Sequence, residues 1–424
     1  MPIRLAIATL LFCAFLVPAD ASAQAADSNL ARAIRILRTT PLVDGHNDLA
    51  WRIREDKHAP KDVEAYDLRH TTPGHTDLAR MKEGMVGAQF WSVYIPGEIK
   101  DSGYARVQLE EIDIARRFIA RYPERLAFAT RASDIRADFA SGKVASFLGM
   151  EGGHAIENSL GALRGYYDLG VRYMTLTHNV TLDWADAALD APKHGGLTPF
   201  GKEVVRQMNR LGMLVDLAHV SPGTMSAALD VSEAPVIFSH SGARALVDHP
   251  RNVPDSIMAR LPKNGGIVMV PFVNSFVSAK VRARDVAEEN ALKAAKANFP
   301  SDTAAVEREM TGWRAAHPVV RASLSDVADH IEHVRDVAGI DHVGIGSDFD
   351  GIDDVIPGLE NVSRFPYLLA ELARRGWSDA DLRKVAGENL IRVFTQAEGV
   401  AARLQKERKP STATIAELDG ALHP

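Results

Sequence analysis

Seven ionisable residues of this chain each close or directly follow a short apolar run. They are His46, Asp48, Glu151, His178, His219, His240 and Asp348. Imidazole and carboxylate groups hold zinc and related divalent cations, and they also move protons near neutral pH. Crowded into one concavity without a counter-ion, such groups would pay heavily in desolvation and mutual repulsion. A cation removes that cost. Three histidines, one aspartate and one glutamate supply five candidate ligands, more than the three that a single catalytic zinc uses. Two ions about 3.5–4 Å apart, sharing a carboxylate, fit that number better.

The apolar runs are the elements that must position these groups. Eight read as strands: Leu42 to His46, Gly87 to Ile95, Val144 to Glu151, Val171 to His178, Met213 to His219, Pro235 to His240, Gly265 to Phe272 and His342 to Asp348. Their Val, Ile, Phe and Met content suits strands buried on both faces. Amphipathic stretches lie between them, among them Val107 to Arg121, Leu160 to Tyr167, Thr198 to Leu211 and Leu324 to Ala338. Alternating strands and helices predict parallel strands joined by right-handed crossovers. Eight such units predict an α/β fold of the (β/α)8 TIM barrel type with helical insertions, an open doubly wound sheet being the alternative. In a barrel all the polar strand ends share one mouth, and the spacing of His46 and Asp48 lets both aim inward.

Other motifs carry less. His75-Thr76-Asp77 repeats the His-x-Asp spacing but precedes a helical pattern, so Thr76 or Asp77 reads as a helix cap. His154 and His249 read equally well as loop residues. Trp51 and Trp184 are candidates for lining the pocket or for plain packing. Asp348-Phe349-Asp350-Gly351 fails as a calcium loop, because Asp353 and Leu359 stand where Gly and Glu are needed. Gly344-Ile345-Gly346 lacks the third glycine of a dinucleotide fingerprint. No phosphate loop or nucleophile elbow is present.

The 424 residues are 46% apolar and 25% charged with a net charge of −6, which excludes a disordered chain and argues against a nucleic-acid partner. Arg4, the apolar run Leu5 to Val17 and Ala21-Ser22-Ala23 predict a signal peptide over 1–23. Cleavage there removes Cys13, the one cysteine, and leaves neither thiolate ligand nor disulfide. The polar end of the chain predicts no membrane anchor. The predicted organisation is an N-terminal segment 24–39, a barrel domain 40–398 and a polar tail 399–424. Insertions at Thr181 to Gly196 and Ser278 to Ala322 read as a lid or specificity loop and as extra helices. A last helix is expected from Asp379 to about Ala397, capped by Ser378 with Asp381.

An ordered series of segments resembles the membrane (renal) dipeptidase family, metallopeptidases of the amidohydrolase superfamily. The segments are Val43-Asp44-Gly45-His46-Asn47-Asp48-Leu49, Gly87 to Tyr94, Glu151-Gly152-Gly153, Thr175 to Asn179, Asp216 to His219, Ser239-His240-Ser241, Arg251-Asn252 and Gly346 to Gly351. The resemblance runs from about residue 40 to about residue 395. It implies two zinc ions, with His46 and Asp48 on one, His219 and His240 on the other, and Glu151 bridging. His178 would contact the substrate carbonyl, Arg251 the substrate carboxylate, and Asp348 would handle protons. For Arg251 the residue-level alternative is a surface arginine paired with Asp248 or Asp255.

The implied activity is hydrolysis of dipeptides, with a D-residue tolerated at the C-terminal position, through a hydroxide shared by the metals. The alternative is a binuclear amidohydrolase of N-acyl-amino acids or β-lactams. A homodimer and a periplasmic or secreted location are expected. Mammalian members carry a lipid anchor and disulfides, and this chain predicts neither.

Overall fold

Along the strand Val144–Glu151, side chains divide between two apolar clusters. Ala145 and Phe147 join one; Val144, Leu148 and Met150 join the other. That alternation is the period of two that a strand imposes. The first cluster, with Val43, Phe90, Tyr173, Ile267 and Met269, fills the inside of a closed barrel. The second packs the outer strand faces against the helices. Phe90 stacks on Phe147 at 4.9 Å and on Tyr173 at 5.4 Å, so the interior is a solid core rather than a pore.

The structure, a computed structural model, describes residues 19–99 and 103–420, with side chains from residue 28 onward. Nine parallel strands follow in chain order: β1 (Leu42–Asn47), β2 (Val86–Ser92), β3 (Leu126–Phe128), β4 (Val144–Glu151), β5 (Val171–Thr175), β6 (Leu214–Asp216), β7 (Ile237–Phe238), β8 (Ile267–Val270) and β9 (Val343–Ile345). The hydrogen-bonded order is β2-β1-β9-β8-β7-β6-β5-β4-β3, and pairing of β2 with β4 closes the ring. Eight strands form the (β/α)8 barrel. The ninth, β3, was not expected. It pairs with Val144 to Ser146 at the start of β4, whereas β5 pairs with Leu148 to Glu151 at its end.

Six of the strands are shorter than the apolar runs, while β1 and β4 match or exceed theirs. Only His46 and Glu151 of the singled-out residues lie within a ladder. His178, His219, His240 and Asp348 sit just past their strands, and His219 and Asp348 have φ of +66° and +67°. The backbone leaves the ladder there to turn these side chains over the mouth, at a local conformational cost. Asp48 is likewise beyond β1, at the start of the helix Leu49–Arg54, so strand alternation does not place it.

The predicted helices form at Tyr104–Arg121, Leu160–Asp168, Pro199–Leu211 and Leu324–Ala338. The later insertion contains the helices Ala279–Asn298 and Thr303–Ala316. Ser378 caps the helix Asp379–Arg383 by accepting from the Asp381 N–H, but Gly387 breaks its continuation before a longer helix, Asn389–Glu407. That helix runs across position 398. The polar segment beyond folds back, where Asp419 accepts from the Thr198 hydroxyl and the Phe200 N–H. Most of the expected signal peptide lies outside the described residues. Its expected cleavage point falls in a helix, Ala19–Leu37, whose Arg32 binds Asp379 at 2.6 Å. Among the described residues, no helix is long and apolar enough to cross a membrane.

Away from the barrel mouth, buried His330 accepts from the Ala243 N–H through Nδ1. Burial lowers its pKa to about 4, against about 6.5 in an unfolded chain. The unfolded chain therefore takes up this proton first as pH falls. The contribution is full above pH about 6.5 and is lost as pH drops through the interval to about 4. Urea midpoints should fall over that interval, and His330→Asn, which keeps an acceptor, should flatten the slope. An unchanged slope would contradict this.

Candidate metal centre and active site

Glu151 ends the inward-facing row of β4 and is the hinge of the site. Its Oε1 lies 2.9 Å from His219 Nε2 and 3.4 Å from His240 Nε2. Its Oε2 lies 3.5 Å from His46 Nε2, which is 3.2 Å from Asp48 Oδ2 and 4.0 Å from Asp348 Oδ1. The two carboxylate oxygens thus face different histidine nitrogens. Three overlapping groups have ligand atoms within 4.8 Å of one another: His46, Glu151 and His240; Glu151, His178 and His219; His46, Asp48 and Asp348. The last two add His178 and Asp348 to the five expected ligands as near neighbours.

The histidine tautomers decide whether this set suits a cation. His46 Nδ1 lies 2.8 Å from the Tyr173 hydroxyl, His219 Nδ1 3.0 Å from Asn179 Oδ1, and His240 Nδ1 2.8 Å from Ser239 Oγ. A proton on each Nδ1, donated to these oxygens, leaves all three Nε2 lone pairs turned to the centre. His219 Nε2 and His240 Nε2 are then two acceptors 3.0 Å apart. His46 Nε2 and Asp48 Oδ1 are buried with no hydrogen-bond partner. Converging lone pairs without donors fit a metal site.

A layer of buried polar groups holds these rings. Ser239 Oγ donates to Asp216 Oδ2 at 2.5 Å, and Asp216 also accepts from Thr175. Across the barrel, Asp44 accepts from the Ser347 hydroxyl and N–H and from Gln89. Tyr173 reaches His46 because its ring fills the space beside Gly149, where a Cβ would lie 2.0 Å from it. None of these supports was singled out from sequence, although Asp216, Asn179 and Ser239 stand beside the singled-out histidines.

Burial, with Arg251 adding to it, holds His219 well below the ordinary histidine pKa; burial, His46 and Arg251 do the same for His240. Burial also opposes charge on Glu151, but His46 and His219 prevail and keep it ionised. Neutral His219 and His240 beside a charged Glu151 are the protonation states that ligands require. At His46 burial opposes charge, but Tyr173, Asp48 and Glu151 prevail and raise its pKa, holding a positive charge that a bound cation would replace. For Asp348, burial raises the pKa well above the carboxylate range; His46 opposes this, while Asp48 and Glu151 reinforce it.

A cavity of about 370 Å³ opens over the centre, lined by the expected residues except His46, which lies beneath it. Trp51 and Tyr94 meet edge to face at 4.9 Å and form one wall; Val273, Phe276 and Ile352 form another. Trp184 is instead fully buried against Phe200. His178 lies between Tyr94 and His219, with ring distances of 4.7 and 4.3 Å, and its Nδ1 has no partner.

Arg251 is 4% exposed and is not a surface ion pair: Asp248 binds Arg244 and Asp255 binds His333. Its N–H donates to His249 Nδ1, Asn252 ties the loop to Val247 and Phe276, and its buried Nε has no acceptor. His154 instead packs below the mouth, within 3.0 Å of the Ile95 carbonyl, and Asp77 caps the helix Leu78–Glu83 as expected.

The family model for membrane dipeptidases, peptidase family M19, matches residues 30–408. The chain belongs to the membrane dipeptidase family. It is therefore a metallo-dipeptidase on a (β/α)8 barrel. Similar solved structures include the probable dipeptidase PvdM from Pseudomonas aeruginosa, at 24% identity and TM-score 0.75, covering 88% of this chain and 100% of that one. A dipeptidase AC of family M19 matches at 25% identity and TM-score 0.70, over 85% of this chain and 99% of that one. A metallopeptidase from Rhodobacter sphaeroides, liganded with a phosphinate mimic of the dipeptide L-Ala-D-Ala, matches at 24% identity and TM-score 0.69, over 85% and 99%.

Proposed function

We propose that this enzyme is a zinc-dependent dipeptidase that holds two ions, His46 and Asp48 on one, His219 and His240 on the other, with Glu151 shared. The observation that carries this reading is the division of the two Glu151 oxygens between two sets of acceptors. Zinc bound there supplies an acidified water and polarises the scissile carbonyl. The remaining work belongs to the chain. Asp348 takes the proton released by the attacking water and returns it to the leaving nitrogen. His178 donates to the carbonyl oxygen as charge develops on it. Arg251 offers its unused N–H groups to a free carboxylate, and its fixed position beside the centre admits one residue after the scissile bond.

Tolerance of a D-residue at that position is supported by the L-Ala-D-Ala mimic held by the Rhodobacter sphaeroides metallopeptidase. The Arg4 to Ala23 pattern supports export to the periplasm or beyond, and the family resemblance supports a homodimer. Cell fractionation and sedimentation test these two.

Chelation should abolish dipeptide hydrolysis, and added zinc should restore it at two equivalents per chain. Full activity after complete metal removal would overturn the reading. Restoration at one equivalent would remove the second ion from it. A substrate panel separates dipeptides from N-acyl-amino acids, because only the former carry a free α-amine.

A further inference from the structure

The loop before the helix Leu78–Glu83 never enters the pocket, yet it grips both strand ends that carry Asp48 and Asp348. The His75 N–H donates to Asp350 Oδ1 at 2.7 Å, and the Asp350 N–H donates back to His75 Nδ1 at 2.9 Å. The His75 ring also packs on Phe349 at 5.6 Å. One residue on, Thr76 Oγ1 accepts from Asn47 Nδ2 at 2.9 Å, and Asn47 lies between His46 and Asp48. Phe349 in turn accepts from the Asp48 N–H at 2.9 Å.

Asp348 and Asp350 both hold left-handed backbone, with φ of +67° and +65°. A residue with a Cβ adopts that conformation at a cost, smaller for aspartate than for most, and local contacts decide how firmly it is held. Asp348's own backbone makes two longer bonds, its N–H to the His46 carbonyl at 3.2 Å and its carbonyl from the Gly351 N–H at 3.2 Å, while Ser347 before it is held by Asp44 and Phe349 after it by the Asp48 N–H. The strong reciprocal pair lies two residues further on, at His75 and Asp350. Gly74 completes the grip, since a Cβ there would meet Asp350 Oδ1 at 2.2 Å.

We infer that His75 is a positioning residue for the reaction: through Asp350 it holds Asp348 in the left-handed conformation that aims its carboxylate at the metal centre. It touches neither substrate nor metal. The inference rests on the role proposed above for Asp348.

The test compares His75→Leu, which removes the acceptor, with His75→Asn, which keeps an oxygen near the Nδ1 position. Gly74→Ala attacks the same carboxylate by crowding, and it serves if His75→Leu does not fold. In His75→Leu and Gly74→Ala, kcat should fall about 10- to 100-fold, the range expected when a reacting group is slightly misplaced. KM should stay within about twofold, because Arg251 is untouched, and bound zinc should be unchanged. His75→Asn should recover most of kcat. Crystal structures of the variants should show Asp348 released from positive φ, a readout independent of activity. Wild-type kcat in both disruptive variants, or Asp348 unmoved in both, would overturn the inference. Absence of dipeptide hydrolysis by the wild-type enzyme would instead refute the proposed reaction, and the crystal structures would still decide the role of His75.

Discussion

Glu151→Gln should strip both zinc ions together and lower the hydrolysis rate by more than about 100-fold. Glutamine keeps the shape of the side chain but has one acceptor oxygen and an NH2 that only donates. In the native chain Oε1 faces His219 and His240 while Oε2 faces His46. Whichever way the amide turns, one set of acceptors then meets a donor where a ligand oxygen stood. The imidazoles on that side close on the NH2, and the site shared through Glu151 loses its common ligand. Metal analysis of the purified variant checks this directly. Two retained equivalents with a native rate would end the bridging role. Loss of one ion alone would show that the carboxylate serves a single site.

Arg251→Ala should raise KM by about 10- to 100-fold for dipeptides with a free C-terminal carboxylate, the loss expected for one or two hydrogen bonds to a charged group. Its guanidinium is buried, its Nε lacks an acceptor, and its Nη2 makes only a long contact of 3.4 Å to the His240 carbonyl. Burial lowers its pKa to about 10, so it stays charged at neutral pH. A buried cation with free donors at a cavity wall waits for an anion. A dipeptide amide, which lacks the anion, should be affected little. Equal losses for acid and amide would assign Arg251 to shaping the cavity rather than to binding the carboxylate.

The barrel and its mouth were legible because polar residues terminate apolar runs. His46, Glu151, His178, His219, His240 and Asp348 each mark where an apolar run reaches the barrel mouth, and four of them, His46, Glu151, His219 and His240, stay buried there. Six of the eight runs overstate their strands because the same apolar residues also bury the turns that follow, as at Leu217 and Ala218 after β6. The strand β3 was invisible: it has three residues, and Phe128 is exposed.

What sequence could not supply is the layer beneath the site. Tyr173, Ser239 and Asn179 orient the three rings, but nothing in their local pattern separates them from other buried hydroxyls and amides. Only the closed ring brings Tyr173 of β5 beside His46 of β1. The pair of His75 and Asp350 joins residues 275 positions apart, and the His-x-Asp spacing at residue 75 pointed only to a helix cap.

On the proposed function, the Glu151 carboxylate should serve two cations at the barrel mouth. Diffraction from zinc-loaded crystals, with anomalous data on either side of the zinc absorption edge, tests it most directly. Two peaks about 3.5–4 Å apart are expected, one beside His46 and Asp48, the other beside His219 and His240, with Glu151 reaching both. A single peak, or two peaks with Glu151 bound to neither or to only one, would contradict it.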